Sequence, residues 1–367
     1  MFDITYVFKN KRSYQKIGKN EFAKEHFYNL LNFINSKSVK VIEFKKDDKN
    51  KNFLKIIEHQ LSKFLSLPFY FSKILTISNF RILNNSKNII LINESVACSL
   101  LPFLIYFRLF RKVNILFFTM GLYSKSLNFQ ALKIFHQFII KLILFSVDKI
   151  CFLGIGEYEK AIEFHGNNDK IVYFPFCIDT DFWRSKHDYN FENNNGIIFI
   201  GNDSNRDSNT LINIANELKH IDFIFISSLK ELADLKLNNV ISIKGEWGSE
   251  YLSDIELKDI FSKARLCILP LKESSQPSGQ SVALQAMSLG IPVVVSKTSG
   301  FWDRDNFINE NNIIFIESKE SKEWTKKINE FYNNEQFLNK ISNNSKNTIN
   351  ENFNLNIFDK KIREYLI

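Results

Sequence analysis

Short apolar, β-branched and aromatic runs alternate along this chain with longer stretches of helical periodicity. The runs Ile4 to Phe8, Val39 to Phe44, Ile89 to Ile92, Val113 to Phe118, Lys149 to Leu153 and Ile171 to Phe174 predict a first series of strands. A second series is predicted at Ile197 to Ile200, Phe223 to Ile226, Val240 to Ile243, Cys267 to Leu269, Val293 to Val295 and Ile313 to Ile316. Between strands, apolar residues recur at helical spacing. Ala23, Phe27, Leu30, Leu31 and Ile34, for example, share one face of a predicted helix. Near-continuous apolar strands alternating with helices imply parallel sheets covered on both faces.

A polar, Asn-rich stretch at 187–195 separates the two series and reads as a linker. The pattern therefore predicts an α/β protein of two Rossmann-like domains, 1–185 and 196–345. A C-terminal segment, 346–367, follows, with a last helix near Phe358 to Leu366 that packs back on the first domain.

Composition narrows this picture. Hydrophobic and charged fractions of 45% and 24% are those of a soluble globular protein. Cys98, Cys151, Cys177 and Cys267 form no CxxC pair and sit in apolar runs, which suits buried free thiols. The apolar runs from Val96 to Phe107 and Phe138 to Val147 are too short to span a bilayer, and the N-terminus shows no secretory pattern. A cytoplasmic location is expected. The net charge of +8 suits an acidic small substrate or an anionic membrane, and no nucleic-acid-binding signature accompanies it.

Residues 265–303 carry the clearest chemistry. A buried strand ends at Pro270, a polar loop follows, and a helix starts near Ser278-Gly279-Gln280-Ser281 and stops at Gly290. Loops at the carboxyl ends of parallel strands are where open α/β sheets bind ligands. A helix start rich in small residues favours an anion such as a diphosphate, and Lys272 adds a cation nearby. The alternative is an ordinary capped helix in a strand-loop-helix unit.

The stretch from Pro277 to Val294, with Ala286-Met287, Gly290 and Pro292-Val293-Val294, resembles the donor-binding signature of retaining GT-B glycosyltransferases of group 1. The resemblance implies two Rossmann-like domains facing an interdomain cleft and a nucleotide-diphosphate sugar bound by the second. The two glutamates usual in that signature fall on Pro277 and Gln285 here, so the resemblance places Gln285 at the ribose hydroxyls. It also implies a diphosphate-binding turn at Gly201 and Asn202, with Arg206 as its cation, and a base-stacking role for Trp247. A cleft loop is implied at Gly18 and Glu21. The alternatives are a surface arginine paired with Asp203 or Asp207, a packing tryptophan, and a first-turn acid serving the helix dipole.

The class often places a histidine after a mid-domain strand, but Phe117 to Gly121 contains none, and no catalytic side chain is assigned. The resemblance implies a retaining reaction, with Arg206 and Lys272 stabilising the leaving diphosphate. Asp179-Thr180-Asp181 reads as a hinge rather than a metal motif, so no metal or other cofactor is expected. The acceptor is expected to be a glycan or a lipid-linked molecule of cell-surface polysaccharide or glycolipid synthesis. Arg108, Arg111, Lys112, Lys125, Lys133 and Lys141 punctuate apolar stretches and suit the inner face of a membrane. A core helix with snorkelling lysines is the alternative. Rival functions are a nucleotide-sugar epimerase of the same fold, a basic membrane-binding module, and a dinucleotide oxidoreductase. The last is suggested by Gly154-x-Gly156, although Glu159 stands where the third glycine belongs.

Overall fold

The computed structural model describes residues 1–9, 22–45, 52–123, 130–185, 189–245, 252–301 and 303–367. Their contacts divide them into two compact units. One gathers the described residues of 1–19, 27–175 and 359–367; the other gathers those of 20–26 and 176–358. The Asn-rich stretch expected as a linker lies inside the second unit. There Asn194 Nδ2 donates to the carbonyls of Ser262 and Ala264.

The first unit contains β1 (Phe2–Phe8), α1 (Leu30–Ile34), β2 (Val39–Glu43), α2 (Asn52–Leu65), α3 (Phe71–Ile74), α4 (Ile77–Asn84), β3 (Ser86–Ile92), α5 (Glu94–Phe110), β4 (Asn114–Thr119), α6 (Gln130–Ser146), β5 (Lys149–Phe152), α7 (Ile155–His165) and β6 (Ile171–Tyr173). Its sheet is parallel throughout, in the order β2-β1-β3-β4-β5-β6. The C-terminal tail closes on this sheet. Lys361 Nζ donates to the Tyr173 carbonyl at 2.6 Å, and Ile367 N–H donates to Asn88 Oδ1 at 3.0 Å.

The second unit contains β7 (Ile197–Ile200), α8 (Ser208–Glu217), β8 (Phe223–Ile226), α9 (Lys230–Ala233), β9 (Val240–Ile243), α10 (Asp254–Lys263), β10 (Leu266–Leu269), α11 (Gln280–Ser288), β11 (Val293–Ser296), β12 (Ile314–Ile316), α12 (Ser321–Tyr332) and α13 (Glu335–Asn352). The last helix, α14 (Leu355–Glu364), begins in this unit and ends in the first. The second sheet is also parallel, in the order β12-β11-β10-β7-β8-β9.

The six strands of each sheet coincide with the six predicted apolar runs. The central strands are buried along their length, as Leu266 to Leu269 and Val293 to Val295 show, and this removes any alternation from their sequence. The predicted helix from Ala23 to Ile34 is instead broken in two. Tyr28 and Asn29 adopt left-handed backbone angles, φ 50° and 68°, between a 3-10 turn at Glu25–Phe27 and α1. Tertiary partners fix the break: Tyr6 Oη donates to the Tyr28 carbonyl, and Asn29 Nδ2 donates to Asp359 Oδ1. Apolar spacing cannot register a kink set by partners so distant in the chain.

Candidate functional site

In the second sheet β7 is flanked by β10 and β8, so successive connections leave β7 in opposite directions. Open α/β sheets form a ligand crevice at the carboxyl end of the strands where that reversal occurs. Two loops meet there: 201–207 after β7 and 270–279 after β10. They are stitched together by their backbones. Asp207 N–H donates to the Pro270 carbonyl at 3.0 Å, and Lys272 N–H to the Asn205 carbonyl at 2.8 Å. Asn205 Nδ2 adds bonds to Ser278 Oγ at 2.8 Å and Gln276 Oε1 at 3.2 Å.

Arg206 lies at the centre of this seam and is only 5% exposed. Its guanidinium lies against two glycines, Gly201 opening the first loop and Gly279 closing the second. A Cβ at Gly201 would overlap Arg206 Nε, and one at Gly279 would sit 2.7 Å from Nη1. Gly279 is also the N-cap of α11, at φ 75°, so the backbone angle and the absent side chain both call for glycine. A glycine N-cap cannot cap the helix with a side chain.

Nε and Nη1 of Arg206 are buried without a hydrogen-bond partner. Asp203 Oδ2 approaches Nε to 3.3 Å, an ion-pair distance lying off the hydrogen-bond direction. Burial lowers the pKa of Arg206 and the Asp203 charge opposes that shift. An arginine stays ionised at neutral pH even so. A buried cation facing a helix start is costly alone and well placed for an anion.

The other predicted residues divide. Ser278 is buried and accepts from Asn205, Gln280 is buried beside it at the helix start, and Ser281 is half-buried. Lys272 is exposed, and its Nζ donates to the Ser204 carbonyl at 3.3 Å. Asn202 spends its amide on the neighbouring loops, donating to the Gly245 carbonyl at 2.7 Å and accepting from Ser228 N–H at 2.5 Å. Gly18, Glu21 and Trp247 lie outside the described residues. Asp179 and Asp181 serve different partners: buried Asp179 accepts from Phe182 N–H, while exposed Asp181 pairs with Arg184.

Gln285, expected at a ribose, donates its amide to Glu25 Oε1 at 2.8 Å. The same oxygen accepts from Trp183 Nε1 at 2.9 Å. Burial pushes the Glu25 carboxyl up to about 7, against the pull of the Gln285 and Trp183 bonds. Glu25 was not foreseen: it stands 260 residues before Gln285, and only the second unit's packing joins them.

A second unforeseen group borders β4 in the first unit. Glu94, at the start of α5, accepts from Thr119 Oγ1 at 2.7 Å and Met120 N–H at 2.6 Å. Glu157, in the first turn of α7, accepts from Gly121 N–H at 3.0 Å and Tyr123 N–H at 2.9 Å. Burial, reinforced by Glu94, pushes the Glu157 carboxyl up to about 8. The two acids hold the loop after β4, whose sequence contains no histidine. Glu157 also explains the Gly154-x-Gly156 pattern: the first turn of α7 is filled by a buried carboxyl, where a dinucleotide fold would accept a pyrophosphate.

Residues 194–334 match the family model described as Glycosyl transferases group 1. That segment is similar to group 1 glycosyltransferases. It runs from before β7 to the end of α12, so Arg206, both glycines and the start of α11 all lie within the matched segment. Among curated proteins no sequence matches the chain.

Similar solved structures cover both units. HepE of Anabaena, solved with UDP and glucose, has a TM-score of 0.70 at 13% identity, covering 100% of this chain and 99% of its own. A glycosyltransferase of Rickettsia africae has a TM-score of 0.61 at 13% identity, covering 99% and 97%. Sucrose-phosphate synthase of Thermosynechococcus elongatus has a TM-score of 0.63 at 13% identity, covering 89% and 82%. The two parallel six-stranded sheets, one in each unit, are therefore those of the GT-B fold.

Proposed function

We propose that this chain is a glycosyltransferase that moves a sugar from a nucleotide-diphosphate donor to a glycan or lipid-linked acceptor, with retention of anomeric configuration. The acceptor belongs, in this proposal, to cell-surface polysaccharide or glycolipid synthesis at the inner face of the membrane. The observation that carries the proposal is the buried guanidinium of Arg206, whose Nε and Nη1 have no hydrogen-bond partner, at the switch point of the segment similar to group 1 glycosyltransferases. A uridine donor is favoured by the HepE structures solved with UDP and with UDP-glucose.

Arg206 and the start of α11 would bind the diphosphate, with Lys272 at the rim. As the bond from the anomeric carbon to the phosphate oxygen breaks, negative charge grows on the diphosphate. Donors already fixed in place stabilise that charge without reorganising. The acceptor oxygen bonds to the same carbon, and its proton passes to an oxygen of the departing diphosphate. The donor is a substrate, and no metal or organic cofactor takes part in this scheme.

Mass-spectrometric screening of UDP-, GDP-, TDP- and ADP-sugars with membrane-lipid extracts as acceptors tests the proposal. Release of nucleoside diphosphate that depends on the acceptor, with NMR of the product showing the donor's anomeric configuration, is the expected result. Turnover that needs no acceptor would point to an epimerase or hydrolase. Stabilisation by NAD alone would contradict the proposal.

A further inference from the structure

Helix α2 is apolar on its outward as well as its inward face. Inward, Leu61 and Leu65 pack on the core beside polar anchors: Ser72 N–H and Oγ both donate to the buried Glu58, and Phe69 N–H donates to Ser62 Oγ at 2.9 Å. Its outward stripe, Phe53, Ile57 and Phe64, follows the i, i+4, i+11 spacing of one helix face, and Phe53 is 75% exposed. Surface helices of soluble proteins usually carry polar residues on that outward face.

Helix α6 packs beside it, His136 Nδ1 lying 2.6 Å from the Leu65 carbonyl at the end of α2. Ile140, Ile143 and Leu144 of α6 enter the core, which accounts for part of its apolar character. Ile134, Phe138 and Phe145 form a second outward stripe, with Phe138 55% exposed. Single exposed apolar residues are ordinary, but two neighbouring stripes of them mark an interaction surface.

Charge identifies what that surface meets. Glu58 is the one acidic residue in α2, it is buried, and α6 contains none. The exposed charges on the two helices are Lys63, Lys133 and Lys141. A second copy packed through a two-fold axis would set these cations against one another. Anionic headgroups complement them, while the aromatic and aliphatic stripes enter the acyl boundary. We propose that the outward faces of α2 and α6 are the surface by which this protein lies on an anionic lipid bilayer. The inference deepens the membrane side of the proposed function and rests on it for its biological setting. Its test contains neither donor nor acceptor.

Full-length protein is sedimented with vesicles of phosphatidylcholine alone or of phosphatidylcholine mixed with phosphatidylglycerol. The wild type should partition at least about tenfold more strongly to the anionic vesicles, and added salt should weaken that binding. Joint Phe64→Ser and Phe138→Ser replacement should lower partitioning by at least about tenfold. Joint Lys133→Ser and Lys141→Ser replacement should remove most of the preference for anionic lipid. UDP binding, measured by calorimetry on the same preparations, should be unchanged in each case. Equal binding to both vesicle types, no binding, or wild-type binding by the apolar variant would overturn the proposal. So would a dimer in solution that the same apolar variant dissociates. Failure of vesicle binding beside intact UDP binding would leave the transferase proposal standing.

Discussion

Two buried arginines of the second unit show how differently one residue type can be used. Arg265, just before β10, is surrounded by acceptors: its Nε donates to the Asn194 carbonyl, and Nη2 donates to the Phe191 carbonyl and Asn195 Oδ1. Its guanidinium also stacks on the rings of Phe191 and Tyr332, at 4.1 and 4.7 Å from their centroids. Arg206, beyond the opposite end of the sheet, has none of these bonds at Nε and Nη1. The first arginine is structural, its charge answered by carbonyls and π-faces. The second is left short of partners, which folding alone would not favour. In the same molecule, the difference separates a brace from the proposed binding group.

The comparison breaks most readily at Arg265. Arg265→Met should orphan several carbonyls and lower the unfolding free energy by about 3 kcal/mol in urea titration. Arg206→Met should cost little stability, or raise it by removing an unanswered buried charge, while weakening UDP by about 30-fold, or ~2 kcal/mol, in calorimetry. Comparable loss of stability in both variants would erase the distinction.

Gly201→Ala sharpens the same point, since the new methyl would displace the Arg206 guanidinium. UDP affinity should fall by about tenfold, or ~1.4 kcal/mol, with the fold intact by circular dichroism.

A last effect concerns the buried carboxyls of the first unit. The Glu157 carboxyl is raised from 4.5 to about 8 on folding. The folded state therefore binds the extra proton between those values, and the stability contributed is full below pH 4.5 and lost as pH rises through 8. Glu157→Gln should flatten that decline, read from urea unfolding at pH 5 and pH 8.

The fold was legible because its strands are local and continuous and the central ones are fully buried; each predicted strand run is one strand of a parallel sheet. The loops that hold Arg206, Ser278 and Gly279 were legible for a related reason: they follow strands directly, where topology places ligands. What escaped notice depends on distant partners. Gln285 faces Glu25 across 260 residues of sequence, and the kink at Tyr28 is held by Tyr6. Glu157 sat inside a glycine pattern that suggested a nucleotide, whereas its burial under the β4 loop arises only once the first sheet has formed.

The central claim is that Arg206 is held in reserve for a diphosphate. Calorimetric titration of UDP and of uridine into the wild type and into Arg206→Met tests it most directly. The wild type should prefer UDP to uridine strongly, and the variant should lose most of that preference while binding uridine as before. A preference for UDP that survives Arg206→Met unchanged would contradict the account.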